Sequence, residues 1–166
     1  MPPSPSSGGT TPEQLAGRYE RITLQLEDLF EGYAESGFDA ISRMATIAAL
    51  LHHKMPHYFW TGFYRLEAGE LIVGPYQGPL ACAVLPGPDG VCWTGVRERR
   101  SIIVPDVHAF AGHVACDERS RSEIVVPVRE PAGNVVGVLD VDSDQPDAFS
   151  EVDRVGLEKI VQLIFG

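Results

Sequence analysis

Three cysteines and two closely spaced aspartates are the residues of this 166-residue chain whose types and spacing can do chemistry. Cys116 lies in the stretch GHVACDERSRSEIVVPV (112–128), in a polar loop beside Asp117, Glu118 and Arg119, a setting in which a thiol stays accessible instead of buried. Cys82 and Cys92 stand upstream, and Asp140 and Asp142 end the hydrophobic run VVGVLDVD (135–142). Two acids so close repel each other. Unless a cation or hydrogen-bond donors compensate, at least one has a raised pKa and holds a proton near neutral pH, ready to donate. A ligand's ammonium group would serve as the cation. The plainer alternative is a strand end emerging into solvent, with the two Asp opening the turn SDQPD.

The thiols admit three readings: metal binding, redox chemistry and simple burial. A metal would draw on His108, His113 and Cys116, but no CxxC or HExxH pairing fixes a coordination geometry. Hydrolysis of the Cys–His type needs a base that the sequence does not identify. Redox chemistry needs only an accessible thiolate and a second thiol within reach. Cys92, in a helical stretch against Trp93, equally suits the buried, inert role.

A single domain with a real core is expected, since 44% of residues are hydrophobic and 22% charged. Thirteen Lys and Arg against 23 Asp and Glu give a net charge of −10 with no basic run, which argues against nucleic acid as a partner. No apolar run is long enough to span a bilayer and the first residues lack the pattern of a secretory signal. A soluble, cytoplasmic protein is the expectation, and an odd number of cysteines there argues against a structural disulfide framework.

These residues need elements to position them. Residues 1–10, MPPSPSSGGT, predict a disordered tail. Thr11, Pro12 and Gln14 read as a capping box with proline in the first turn. Leu15, Tyr19, Ile22, Leu26, Leu29 and Tyr33 then recur at helical spacing, as do Phe38, Ile41, Met44, Ala48, Leu51 and Met55 after Gly37. From Tyr58 the period becomes two, and YFWTGFYRL, ELIVGPY and LACAVL predict neighbouring antiparallel strands. A short helix over GVCWTGVRERR, strands at 102–104, 123–128 and 135–142, and a last helix capped by Ser150 and bearing Val152, Val155, Ile160 and Ile164 complete the chain. The fold class is α+β, about six mostly antiparallel strands with two N-terminal helices and a closing one.

Strand parity sorts the candidates further. Trp60 and Tyr64 share a face with Gly62 between them, leaving a notch for a ligand, another backbone or a core side chain to fill. Asp140 and Asp142 continue the face of Val136 and Val138.

Five segments in order, FWTGFY (59–64), GPYQGPLACAVLP (74–86), GVCWTG (90–95), DVHAFAGHVACDERSRSEIVVPV (106–128) and GVLDVDS (137–143), resemble the free methionine-(R)-sulfoxide reductases, single-domain proteins of the GAF fold. The likeness runs from about residue 12 to the C-terminus and includes all three cysteines. It implies a catalytic domain over 11–166 that reduces the free amino acid methionine (R)-sulfoxide, with Cys116 as the nucleophile. It also implies Cys82 as the resolving thiol, a Cys82–Cys116 disulfide reduced by thioredoxin, and Cys92 as an auxiliary cysteine. Glu123, Asp140 and Asp142 match the polar pocket for the sulfoxide oxygen and the ammonium group. Trp60 and Tyr64 match the aromatic wall for the S-methyl group, which favours the ligand reading of the notch. No metal or organic cofactor is implied.

GAF domains also serve as sensory modules that bind small ligands without turnover. A pure binding pocket has no need of Cys82 and Cys116 beside the acids. The 15–33 helix suits a homodimer interface, although a helix covering its own sheet carries the same apolar series.

Overall fold

The computed structural model describes residues 9–113 and 116–166, so the tail expected over 1–10 falls, but for exposed Gly9 and Thr10, outside the described residues. Helix α1 (Pro12–Gly32) begins where the sequence places it. Thr11 Oγ1 accepts the Gln14 amide at 3.1 Å, and Gln14 Oε1 accepts the Thr11 amide at 2.9 Å, so two amides that a helix start leaves open are satisfied reciprocally. Helix α2 (Ala40–Lys54) is capped by Asp39. Strands β1 (Trp60–Glu67), β2 (Glu70–Gln77) and β3 (Val84–Leu85) follow. Helix α3 (Val91–Glu98) leads to β4 (Ile102–Val104), β5 (Ser122–Arg129) and β6 (Val135–Ser143), and α4 (Glu151–Val161) closes the chain.

The six strands form one sheet in the order β3-β2-β1-β6-β5-β4, antiparallel at every step. Alternation along each strand gives the sheet two unlike faces. Phe63, Ile124, Val126, Leu139 and Val141 point to one face and are covered by Tyr19, Ile22, Leu26 and Phe30 of α1, Met44, Ile47 and Leu51 of α2, and Leu157 and Ile160 of α4. Trp60, Tyr64, Val125 and Val138 point to the other, beneath Val91 and Cys92 of α3.

The structure corrects the helical phase at three points. Phe30 is buried where Leu29 and Tyr33 were expected to be, Ile47 is buried while Ile41 is 45% exposed, and Leu157 is buried while Val155 is 46% exposed. In each case the face pressed on the sheet drifts from the series written at the helix start, because 3.6 residues per turn matches no fixed three-or-four spacing. The apolar stripe of α1 covers the chain's own core, so it gives no argument for a dimer. The expected strand LACAVL shrinks to Val84–Leu85, because side chains take the carbonyls before it: Trp60 Nε1 donates to Pro79 O at 3.1 Å and the Tyr64 hydroxyl to Cys82 O at 3.1 Å. Among the described residues no helix is long and apolar enough to cross a membrane.

One polar cluster ties α1 to α4. Asp153 is fully buried; its Oδ1 accepts the Tyr19 hydroxyl at 2.6 Å and faces His57 Nε2 at 3.2 Å, while Oδ2 accepts the Ser150 amide at 2.8 Å. Burial acts to raise this carboxyl, but bonds from His57, Tyr19 and the Ser150 amide outweigh it and leave the pKa lowered. Asp153→Ala strips the acceptor from the buried Tyr19 hydroxyl and from His57 and the Ser150 amide, and is expected to cost about 2–4 kcal/mol. Urea unfolding reads this as a lower midpoint at unchanged slope; an unmoved midpoint would show the cluster to be dispensable.

Candidate active site

Register places the expected residues in rows across three strands. Trp60 pairs with Asp142 and Asp142 with Glu123, so the three stand abreast on β1, β6 and β5. One step along, Gly62 pairs with Asp140 and Asp140 with Val125. The next β1–β6 pair on the same face is Tyr64 with Val138. The side chains of Trp60, Tyr64, Glu123, Asp140 and Asp142 thus project to the α3 face, where they meet Cys92, which α3 carries in its first turn. The resulting cleft is lined by Trp60, Tyr64, Cys92, Cys116, Glu123, Asp140 and Asp142 among others. Of the expected site residues only Cys82 is outside this lining, and it is joined to the cleft by a disulfide to Cys116, with Cα atoms 5.5 Å apart.

The carboxyl groups are deep. Glu123 is 5% exposed and Asp140 6%, and Asp140 Oδ1 has no hydrogen-bond partner. Burial and then the charge of Asp140 push the Glu123 carboxyl well above the usual range, and the same two causes push Asp142 up against the opposing bond from Ser120. Asp140 is raised by burial and restrained by hydrogen bonds from Glu123 and Cys92. As expected of crowded acids, the carboxyls of Glu123, Asp140 and Asp142 are all raised. The Cys92 thiol is pushed well up by burial, then by the neighbouring acids, so it stays a neutral, enclosed S–H. Cys116, by contrast, is exposed.

The notch over Gly62 is filled by the protein itself. A Cβ there would lie 2.6 Å from Trp60 Cη2, because the indole of Trp60 folds across the glycine. This indole is stacked between Tyr64 at 5.8 Å and Tyr76 at 5.3 Å. The glycine therefore admits an aromatic wall, and the wall lines the cleft; no ligand-sized space is left over Gly62. The metal set His108, His113 and Cys116 is not assembled either, since Cys116 sulfur is in the disulfide. Among the described residues the group close enough to share an ion is Cys92, Glu123 and Asp140.

Several groups in or beside the cleft are given no part in this pocket by the sequence. Ser120 donates to Asp142 Oδ1 at 2.8 Å, and His113 Nδ1 stands 4.0 Å from Glu123 Oε2. Burial, then the nearby His108, lowers the His113 pKa. Arg119 forks onto Asp117 at 3.0 and 2.7 Å, which holds that carboxyl at about 2, and lies over the Phe59 ring at 4.7 Å. Tyr76 and Ser120 lie within the segments that carry the family likeness but are given no role by it; only the pairing of strands and the return of the loop bring them here. The N-terminus of α3 also borders the cleft through Gly90 and Val91, and no side chain caps it.

A six-stranded antiparallel sheet with a small-molecule cleft under a short helix defines a class, and a GAF domain model matches residues 35–164. A free methionine-R-sulfoxide reductase of Saccharomyces cerevisiae is 36% identical over 87% of this chain and 84% of its own length. GAF domain-containing protein A of Dictyostelium discoideum is 40% identical over 95% of this chain and 94% of its own. The crystal structure of the Neisseria meningitidis free methionine-R-sulfoxide reductase with its substrate superposes with a TM-score of 0.83, at 34% identity, covering 96% of this chain and 90% of that one. The chain belongs to the GAF family, among the free methionine-R-sulfoxide reductases.

Proposed function

We propose that residues 11–166 form one catalytic unit that reduces free L-methionine (R)-sulfoxide to L-methionine, with electrons supplied by thioredoxin in the cytoplasm. The observation that carries this reading is the Cys82–Cys116 disulfide beside a cleft that holds two buried carboxyl groups, Glu123 and Asp140, and the half-buried Asp142. A cleft that only binds a ligand has no use for that pair.

In the reduced protein Cys116 attacks the sulfoxide sulfur as a thiolate while a buried carboxyl protonates the oxygen. The S–O bond breaks, the oxygen passes to Cys116 as a sulfenic acid, and methionine departs with its sulfur reduced by two electrons. Cys82 then attacks the sulfenic sulfur, water leaves, and the disulfide forms; a dithiol reductant returns both cysteines to thiols by exchange. The raised pKa values of Glu123 and Asp142 suit an acid still protonated near neutral pH. A remaining carboxylate pairs with the substrate ammonium, and the uncapped α3 N-terminus suits its carboxylate. Trp60 and Tyr64 receive the S-methyl end. Cys92, enclosed and protonated, takes no part in the first exchange.

The test is NADPH consumption with thioredoxin and its reductase, supplying separately the free (R) epimer, the free (S) epimer and a peptide containing the oxidised residue. Turnover confined to the free (R) epimer supports the reductase; no turnover with any of them makes the chain a ligand-binding GAF module. Within that assay Cys82→Ser is expected to keep the first turnover, seen as one methionine released per chain, and to slow thioredoxin-linked cycling by about tenfold or more. Unimpaired cycling would remove Cys82 as the resolving thiol.

A further inference from the structure

We infer that Cys92, Glu123 and Asp140 form a binding site for one thiophilic divalent cation such as Zn2+, with its remaining coordination position facing the cleft. One donor comes from each of three elements, α3, β5 and β6, and the Sγ and carboxylate oxygens all lie within 4.8 Å of one another. Zinc bonds to sulfur at about 2.3 Å and to carboxylate oxygen at about 2.0–2.2 Å, so donors this close need only a small inward movement to share one ion. One oxygen of the set is unanswered: Asp140 Oδ1 has no hydrogen-bond partner although the residue is 94% buried and lines the cleft. Among the described residues no Lys or Arg lines the cleft to answer it.

The donor set selects the ion. A thiolate disfavours Mg2+ and Ca2+, which take oxygen ligands, and favours Zn2+ or Cd2+. Three protein ligands and one open position is the arrangement of an accessible zinc site, not of a closed structural one. The binding inference stands apart from the reductase reading; if both hold, the cation occupies the place of the substrate ammonium and competes with it.

The disulfide makes a clean experiment possible. The chain has three cysteines and two of them are paired, so in the unreduced protein Cys92 is the remaining thiol. Cd2+ titrated into the full-length chain without reductant is expected to give thiolate-to-cadmium charge-transfer absorption that saturates at one ion per chain and disappears in Cys92→Ser. Glu123→Gln and Asp140→Asn are each expected to weaken binding by at least about tenfold. X-ray absorption of the zinc-loaded wild-type chain needs no variant and should show one sulfur with oxygen neighbours. Absence of the cadmium band, a zinc shell without sulfur, or affinity unchanged in both carboxylate variants would each overturn the site.

Discussion

Cys116→Ser is expected to leave the chain folded and to lower turnover of free methionine (R)-sulfoxide by at least about a thousandfold. The reason is nucleophilicity. A serine hydroxyl in the same place ionises far less than a thiol and cannot form the sulfenic acid on which the next step depends. Folding should survive because Cys116 sits exposed in a loop, outside both clusters of core residues. The coupled assay measures the first half of this prediction, and near-ultraviolet circular dichroism the second. Retained multiple turnover would exclude Cys116 as the nucleophile, whatever the rest of the cleft does.

Glu123→Gln is expected to move activity and stability in opposite directions. Activity should fall by about a hundredfold or more if Glu123 protonates the departing oxygen or fixes the acid that does. Stability should rise. A carboxyl whose folded pKa lies above its unfolded value keeps a proton in the folded chain that the unfolded chain has released, so folding loses free energy as pH climbs above the ordinary carboxylate range. Glutamine has no such titration. The melting temperature of the variant should therefore exceed that of the wild type by a margin that widens with pH until the folded carboxyl ionises. Each kcal/mol recovered raises it by about 2–4 °C for a chain of this size. A variant that melts below the wild type at neutral pH would show that the carboxyl is well solvated, contrary to its 5% exposure, or held charged by a partner such as His113, 4.0 Å away.

What the sequence discloses here is local. Thr11, Pro12 and Gln14 announce a helix start because a capping box is complete within four residues. Parity puts Trp60 with Tyr64, and Asp140 with Asp142, on shared faces because alternation is a property of one strand. Which strands lie side by side is a property of the whole sheet, and the rows Trp60–Asp142–Glu123 and Gly62–Asp140–Val125 exist only once β1, β6 and β5 are neighbours. Glu123 offered a faint signal as the lone charge in an apolar strand, yet its place came through family likeness. Ser120 offered none, since its bond to Asp142 spans 22 positions. The loss of LACA from its expected strand has the same origin, because the Trp60 and Tyr64 side chains that claim Pro79 and Cys82 are 19 and 18 positions away.

Those two bonds carry a consequence for anyone who would retune the protein. Trp60 and Tyr64 face the space where a sulfoxide's apolar end would rest, and each also holds the backbone of the loop that bears Cys82. Widening the wall to admit a bulkier sulfoxide removes those bonds, and if Cys82 is the resolving thiol, a variant selected for a new substrate is expected to return more slowly to the dithiol state. On the proposed roles, substrate range and regeneration are wired to the same two rings, so an engineer who wants to change one must rebuild the anchorage of residues 79–82 to keep the other.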